Sequence, residues 1–205
     1  MAITNGYCAL SELKAYIGIT DSNDDNQLED AVNSASRQID SYCRRRFFVD
    51  GGASSRKYIA KDIFNLYTDD FSNNDPTVKI DTNDDGTFDL TLAAADFQLH
   101  PLNGLANGIE GLPFNKIVLM DTASDTFPTH DRRARVQVTA TWGFAAVPEP
   151  IRQATLALSS ELFTMATTPL GVAGVSEFGV VMLRENRKIT TMIKDYRRGD
   201  GFGVA

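Results

Sequence analysis

Histidine, cysteine and tryptophan are scarce in this sequence: two His, two Cys and one Trp among 205 residues. Cys8 and Cys43 are too few to build a zinc cluster without histidine help, and His100 and His130 stand in no ligand spacing with them. Both cysteines are expected as buried or half-buried free thiols. No run of about 18 apolar residues occurs, which excludes a membrane-spanning helix. Positive charge is also in deficit, with 20 Lys and Arg against 27 Asp and Glu, a formal net charge of −7. That is the wrong sign for a protein whose main task is to grip phosphate backbones by counterion release. Met1 to Leu10 lacks the basic start and apolar stretch of a signal peptide, so the expectation is a chain that stays in the cytosol with its thiols reduced. What is present is an ordinary globular composition, 42% hydrophobic, 23% charged and 9% aromatic. At about 150 residues per domain, the length fits one core carrying one insertion.

The acidity is unevenly spread. Between Asp62 and Asp96 there are nine Asp against Lys79 alone, so this one segment exceeds the negative charge of the whole chain. The pattern suggests an acidic module set into a balanced scaffold. Its plain reading is a solvated face; its functional one is a surface that repels a polyanion passing close by.

Helical periodicity brackets that module. Leu10, Leu13, Tyr16 and Ile17 predict a short helix over about Ser11 to Ile17, stopped by a left-handed cap at Gly18. Asn26 and Glu29 have capping-box spacing, and Leu28, Val32, Ala35, Ile39 and Tyr42 mark a long helix closed by Arg44, Arg45 and Arg46. After Val147-Pro148-Glu149-Pro150, an apolar stripe of Ile151, Ala154, Leu158, Leu162 and Met165 predicts a third helix, ended by Pro169. Leu156 and Phe163 form a second stripe on another face, which requires a second cover, either the β module or a neighbouring subunit. Residues Leu170 to Gly179 read as a glycine-rich arm, Val180 to Leu183 as an edge strand, and Asn186 as the cap of a last helix carrying Ile189, Met192, Ile193 and Tyr196. Arg197-Arg198-Gly199 ends it, and Phe202 marks the tail.

Between Phe47 and Phe144 the period changes to two. Strands are expected at Arg56 to Ala60, Ile63 to Tyr67, Thr77 to Asp81, Thr87 to Leu92, Asp96 to His100, Lys116 to Met120 and Arg135 to Trp142. In the last of these Val136, Val138, Ala140 and Trp142 face one way, with Gln137, Thr139 and Thr141 opposite, as in a half-buried antiparallel strand. These elements predict an α+β chain, an α-helical core of about four helices interrupted by a large antiparallel β insertion. The expected boundaries are 1–47, 48–144 and 145–205.

Chemistry has little to hold on to. Asp81, Asn83, Asp85, Gly86 and Asp89 match the opening of an EF-hand calcium loop, but its twelfth position is Leu92 rather than a bidentate Glu. Asp81, Asn83 and Asp85 are therefore weak metal candidates, and a hairpin turn on Asp85-Gly86 is the better reading. No nucleophile elbow, P-loop, zinc-protease or dinucleotide motif is present. No catalytic residue, cofactor or resident metal is expected. A structural or binding subunit that self-assembles would cover the surplus apolar surface.

The run Tyr7-Cys8-Ala9-Leu10-Ser11-Glu12-Leu13-Lys14-Ala15-Tyr16-Ile17-Gly18-Ile19, followed by Ala35-Ser36-Arg37-Gln38-Ile39-Asp40-Ser41-Tyr42-Cys43, resembles the head-to-tail adaptor (connector) proteins of tailed bacteriophages. Asp81 to Leu92, Asp96 to Asn103, Thr141-Trp142-Gly143-Phe144 before Val147-Pro148-Glu149, Ser176 to Val181 and Ile193 to Arg198 are similar to its β-inserted members. The resemblance implies a virion protein of the head-tail neck, made in the host cytoplasm. It implies a homo-oligomeric ring, commonly of twelve copies, that joins the portal protein to a stopper or tail-completion protein and passes double-stranded DNA without specific binding, with no membrane partner. By the same analogy Ile189 to Ala205 would reach toward the portal and the arm would pack on neighbouring subunits. Expected contact residues are Leu156, Phe163, Val172, Val175, Phe178, Tyr196, Arg197, Arg198 and Phe202. The rival readings are a stopper or packaging accessory protein of the neck, a calcium-dependent β-sandwich-like ligand-binding module, and an unrecognised hydrolase.

Overall fold

The computed structural model describes residues 2–106, 108–129, 133–167 and 187–199. These form an α+β chain of four helices and two antiparallel sheets. The chain divides into two compact units, Met1–Phe48 with Ala146–Arg198, and Val49–Ala145.

The first unit is helical: α1 (Leu10–Ile17), α2 (Asp25–Cys43), α3 (Glu149–Thr167) and α4 (Arg187–Ile193), the last running into a 3₁₀ turn at Lys194–Tyr196. The Glu12 carboxylate accepts the Ala9 N–H at 2.7 Å and so holds the start of α1. At its other end Gly18 takes the left-handed conformation, φ 76° and ψ 24°, and donates its N–H to the Lys14 carbonyl, an ending that glycine adopts without steric cost. α2 begins earlier than the Asn26-Glu29 spacing implies, because the Asp24 carbonyl already accepts the Leu28 N–H at 2.9 Å. It ends at Arg44, which itself adopts the left-handed cap at φ 55°. The three arginines thus stand at or just past the helix end rather than in its last turn.

Leu28, Val32, Ala35, Ile39 and Cys43 recur at steps of three and four and are all fully buried, the stripe that an amphipathic helix presents to its core. α3 packs against α1, α2 and α4. Its Ile151, Ala154 and Leu158 are fully buried, as expected, whereas Met165 is exposed. On α4 Ile189 and Ile193 are buried but Met192 points out, 41% exposed; the turn tightens after Ile193, so Tyr196 rather than Met192 completes the buried face.

The second unit holds β1 (Ala53–Tyr58), β2 (Asn65–Phe71), β3 (Thr77–Ile80), β4 (Leu90–Thr91), β5 (Phe97–His100), β6 (Phe114–Leu119) and β7 (Val136–Thr141). One sheet has the order β1-β7-β3-β4, the other β2-β6-β5, with every pair antiparallel. Each corresponds to one of the period-two runs, shifted by a few residues; β4 shrinks to two residues because the loop before it is held by side chains. Inner positions of both sheets merge into one core, with Leu66 and Phe71 of β2, Val78 of β3, Ile117 of β6 and Val136, Val138 and Ala140 of β7. Trp142 is its largest member. Its ring meets Phe71 edge-on at 5.9 Å, its Nε1 donates to the Ser54 carbonyl at 2.8 Å, and the Arg56 guanidinium stands 4.4 Å from its centroid.

Candidate assembly surfaces

Within the helical unit Leu156 is buried at 4% exposure against Cys8, Leu13, Leu28 and Val32, with Phe163 half-buried on the same cluster. For Leu156 this corrects the expectation of a second cover from the β module or a neighbouring subunit: α1, α2 and the segment before them supply it. The stripe follows from the periodicity, but which element covers it depends on how the helices cross. Phe163 keeps part of its ring accessible; Leu156 does not.

The closing turn is also turned inward. Tyr196 is buried at 8% exposure and meets Phe47 edge-on at 6.0 Å. Arg198 donates its backbone N–H to the Cys43 carbonyl at 2.9 Å, and the Arg197 guanidinium stands 5.8 Å from the Tyr42 ring. Tyr196 is therefore a core residue, which corrects its assignment as a contact. Arg197 stays exposed and Arg198 half-buried. Val172, Val175, Phe178 and Phe202, with the whole of the Leu170 to Gly179 arm and the Val180 to Leu183 segment, lie outside the described residues.

Tyr7 has a role that the spacing rules missed. Its hydroxyl donates to the Asp40 carboxylate and accepts the Phe47 N–H at 3.0 Å, while its own N–H donates to Ser36 Oγ at 3.2 Å. Arg37 pairs with Asp40 at 3.2 Å. Burial, then the Asp40 carboxylate, pushes the Tyr7 phenol far above its ordinary range. Burial likewise raises the Asp40 pKa, against the lowering effects of Tyr7, Arg37 and Arg46. The group fastens the N-terminal segment to the exit of α2. Cys8 and Cys43 are free and buried, with burial pushing the first thiol up to about 11 and the second to about 12. Both thiols are inert fillers at neutral pH.

The acidic loop between β3 and β4 is not a two-residue turn. β3 and β4 do pair as a hairpin, Ile80 against Leu90, but the nine residues Asp81 to Asp89 fold around one carboxylate. Asp81, only 1% exposed, accepts the N–H groups of Asn83, Asp85 and Gly86. Asp84 and Gly86 both take positive φ. Burial alone would raise the Asp81 pKa, yet the backbone donors prevail and it is lowered. The three weak metal candidates thus lie together, with Asp81 already engaged by backbone. Among the described residues no group of three or more His, Cys, Asp or Glu is placed to hold a metal ion. Other carboxylates of the segment act the same way: Asp62 accepts from Phe64 and Asn65, Asp89 from Thr82 and Asp96 from Ala93. Much of the acidity is turn chemistry.

The outward face of the four-stranded sheet is different. In register across it, Lys57 of β1 stands opposite Gln137 of β7, and Gln137 opposite Lys79 of β3, itself opposite Thr91 of β4. The next row is Ser55, Thr139 and Thr77, with Ser55 Oγ and Thr139 Oγ1 at 2.7 Å. No carboxylate occupies either row. The Gln-Thr-Thr side of β7 was legible in the sequence; that lysines flank it required the strand order.

The architecture so defined is a helical unit and a two-sheet β unit on one chain. Residues 7–87 match the family model described as phage gp6-like head-tail connector protein. Two solved structures are similar over the whole of this chain and 96% of theirs: the neck of an empty GTA particle computed with C6 symmetry, TM-score 0.57, and the neck of a native GTA particle computed with C12 symmetry, TM-score 0.56, each 14% identical. The head-tail connector resemblance read from the sequence is borne out by these matches. No curated protein matches the sequence.

Proposed function

We propose that this chain is a non-enzymatic structural subunit of a phage neck, and that identical copies close into a ring, twelve in number, between the portal and a tail-side stopper or tail-completion protein. The observation that carries this reading is the fold likeness to neck proteins along the entire chain, joined to the connector family match over residues 7–87. Localisation in the virion neck follows from it. The partly accessible Phe163 and the exposed Arg197, with Arg198, are the described residues proposed to meet a neighbouring subunit or the portal. A closed heterologous ring gives each subunit two contacts, each of standard size burying on the order of 1,600 Å².

The test is electron microscopy of the full chain mixed with purified portal. The expected view is a ring of this chain seated on one end of the portal, with a continuous axial opening. Concentrated protein that stays monomeric and leaves the portal bare would overturn the proposal, and a ring found only on the far side of a separate neck component would favour the stopper reading.

A further inference from the structure

We infer that the outward face of the four-stranded sheet is a weak contact surface for the phosphate backbone of duplex DNA, an inference that rests on the neck-ring reading above. The unit that carries this face is acidic, with the run Asp62 to Asp96 alone holding nine Asp against one Lys. Yet Lys57 and Lys79 lie in one cross-strand row with only Gln137 between them. Adjacent strands are about 4.8 Å apart, so the backbone positions of the two lysines are about 10 Å from each other. Lys57 is exposed, and its ammonium stands 5.0 Å from the centroid of the Phe88 ring. Lys79 has no ion pair among the described residues. Two arginines of the same unit are engaged instead: Arg56 bridges Asp50 and Asp69, and Arg133 pairs with Asp84.

The rest of the face narrows the partner. Ser55, Thr77, Thr91, Thr139 and Gln137 are short polar donors of the kind that hydrogen-bond phosphate oxygens without reading sequence. None of these five is aromatic or aliphatic, and the half-buried Phe88 ring beside Lys57 is short of the apolar cluster that a protein interface concentrates at its centre. Two cations and a row of hydroxyls suit a duplex that is touched and released. A stronger basic patch would hold it, and the unit's nine Asp between Asp62 and Asp96 limit the attraction.

The test uses the full chain and a duplex of about 20 base pairs, titrated at about 50 and 200 mM salt. With two phosphates neutralised the log-log slope is about −1.8, so binding should weaken about twelvefold across that range. The pair Lys57→Gln and Lys79→Gln should bring the slope near zero while melting temperature and ring formation with portal stay as in the unaltered chain. Three results would overturn the inference: no binding at either salt, binding that survives the double substitution but is lost with Arg44→Gln and Arg46→Gln, or binding of polyglutamate in preference to DNA. Failure of the unaltered chain to join portal, read separately by microscopy, would instead count against the neck reading itself.

Discussion

Replacing Leu156 with Ala tests whether the second stripe of α3 is interior or interface. The side chain is 4% exposed and enclosed by Cys8, Leu13, Leu28 and Val32. Truncation of a buried Leu costs about 2–5 kcal/mol, the lost transfer energy plus a cavity that neighbours fill only in part. Residues from three separate elements line this site, and α1 is only eight residues long, so little chain is free to collapse inward; about 3 kcal/mol is the reasoned value. The helical unit comprises about 100 residues, for which 1 kcal/mol corresponds to about 4 °C or more in Tm, giving a fall of about 12 °C in a helix-monitored melt. Phe163→Ala, half-buried on the same cluster, should lose less stability and more assembly. A Leu156→Ala chain that melts within about 2 °C of the unaltered protein yet no longer forms rings would refute the assignment of Leu156 to the core.

Tyr7→Phe leaves the buried Phe47 N–H and the Asp40 carboxylate each short of a partner, and should cost about 2 kcal/mol in denaturant unfolding; an unchanged midpoint would show that water replaces the hydroxyl. The thiols of Cys8 and Cys43, buried and raised to about 11 and about 12, should resist alkylation at pH 8 in the folded chain and react in denaturant. Fast labelling of the folded chain would contradict their burial. The carboxylates of Asp62, Asp81 and Asp89 have folded pKa values below the ordinary 3.8. The stability they contribute is complete above that value and lost as pH falls through the folded values. Acid should therefore weaken the β unit from about pH 4 downward, followed through Trp142, the only tryptophan. Asp81→Asn should flatten that dependence, and an unchanged acid profile in this variant would remove Asp81 from the account.

Burial periodicity made the helices and strands legible. All seven period-two runs became strands, because alternation is enforced wherever one face of a strand meets a core, and Val136, Val138, Ala140 and Trp142 show this at zero exposure. The helix stop at Gly18 was equally local, a property of a residue without Cβ. Ends set by side-chain hydrogen bonds were less legible: the loop from Asp81 to Asp89 looks like a tight turn until the Asp81 carboxylate is seen to gather three backbone donors.

Chain order and local chemistry alone determined that helices flank a β-rich segment and that the segments resemble connector proteins. The tertiary structure decided what covers each apolar stripe, since Leu156 and Tyr196 find partners more than a hundred residues away in sequence. It also decided that Lys57 and Lys79 share one face, because strand order is fixed by pairing between distant segments, and no local spacing rule carries that information.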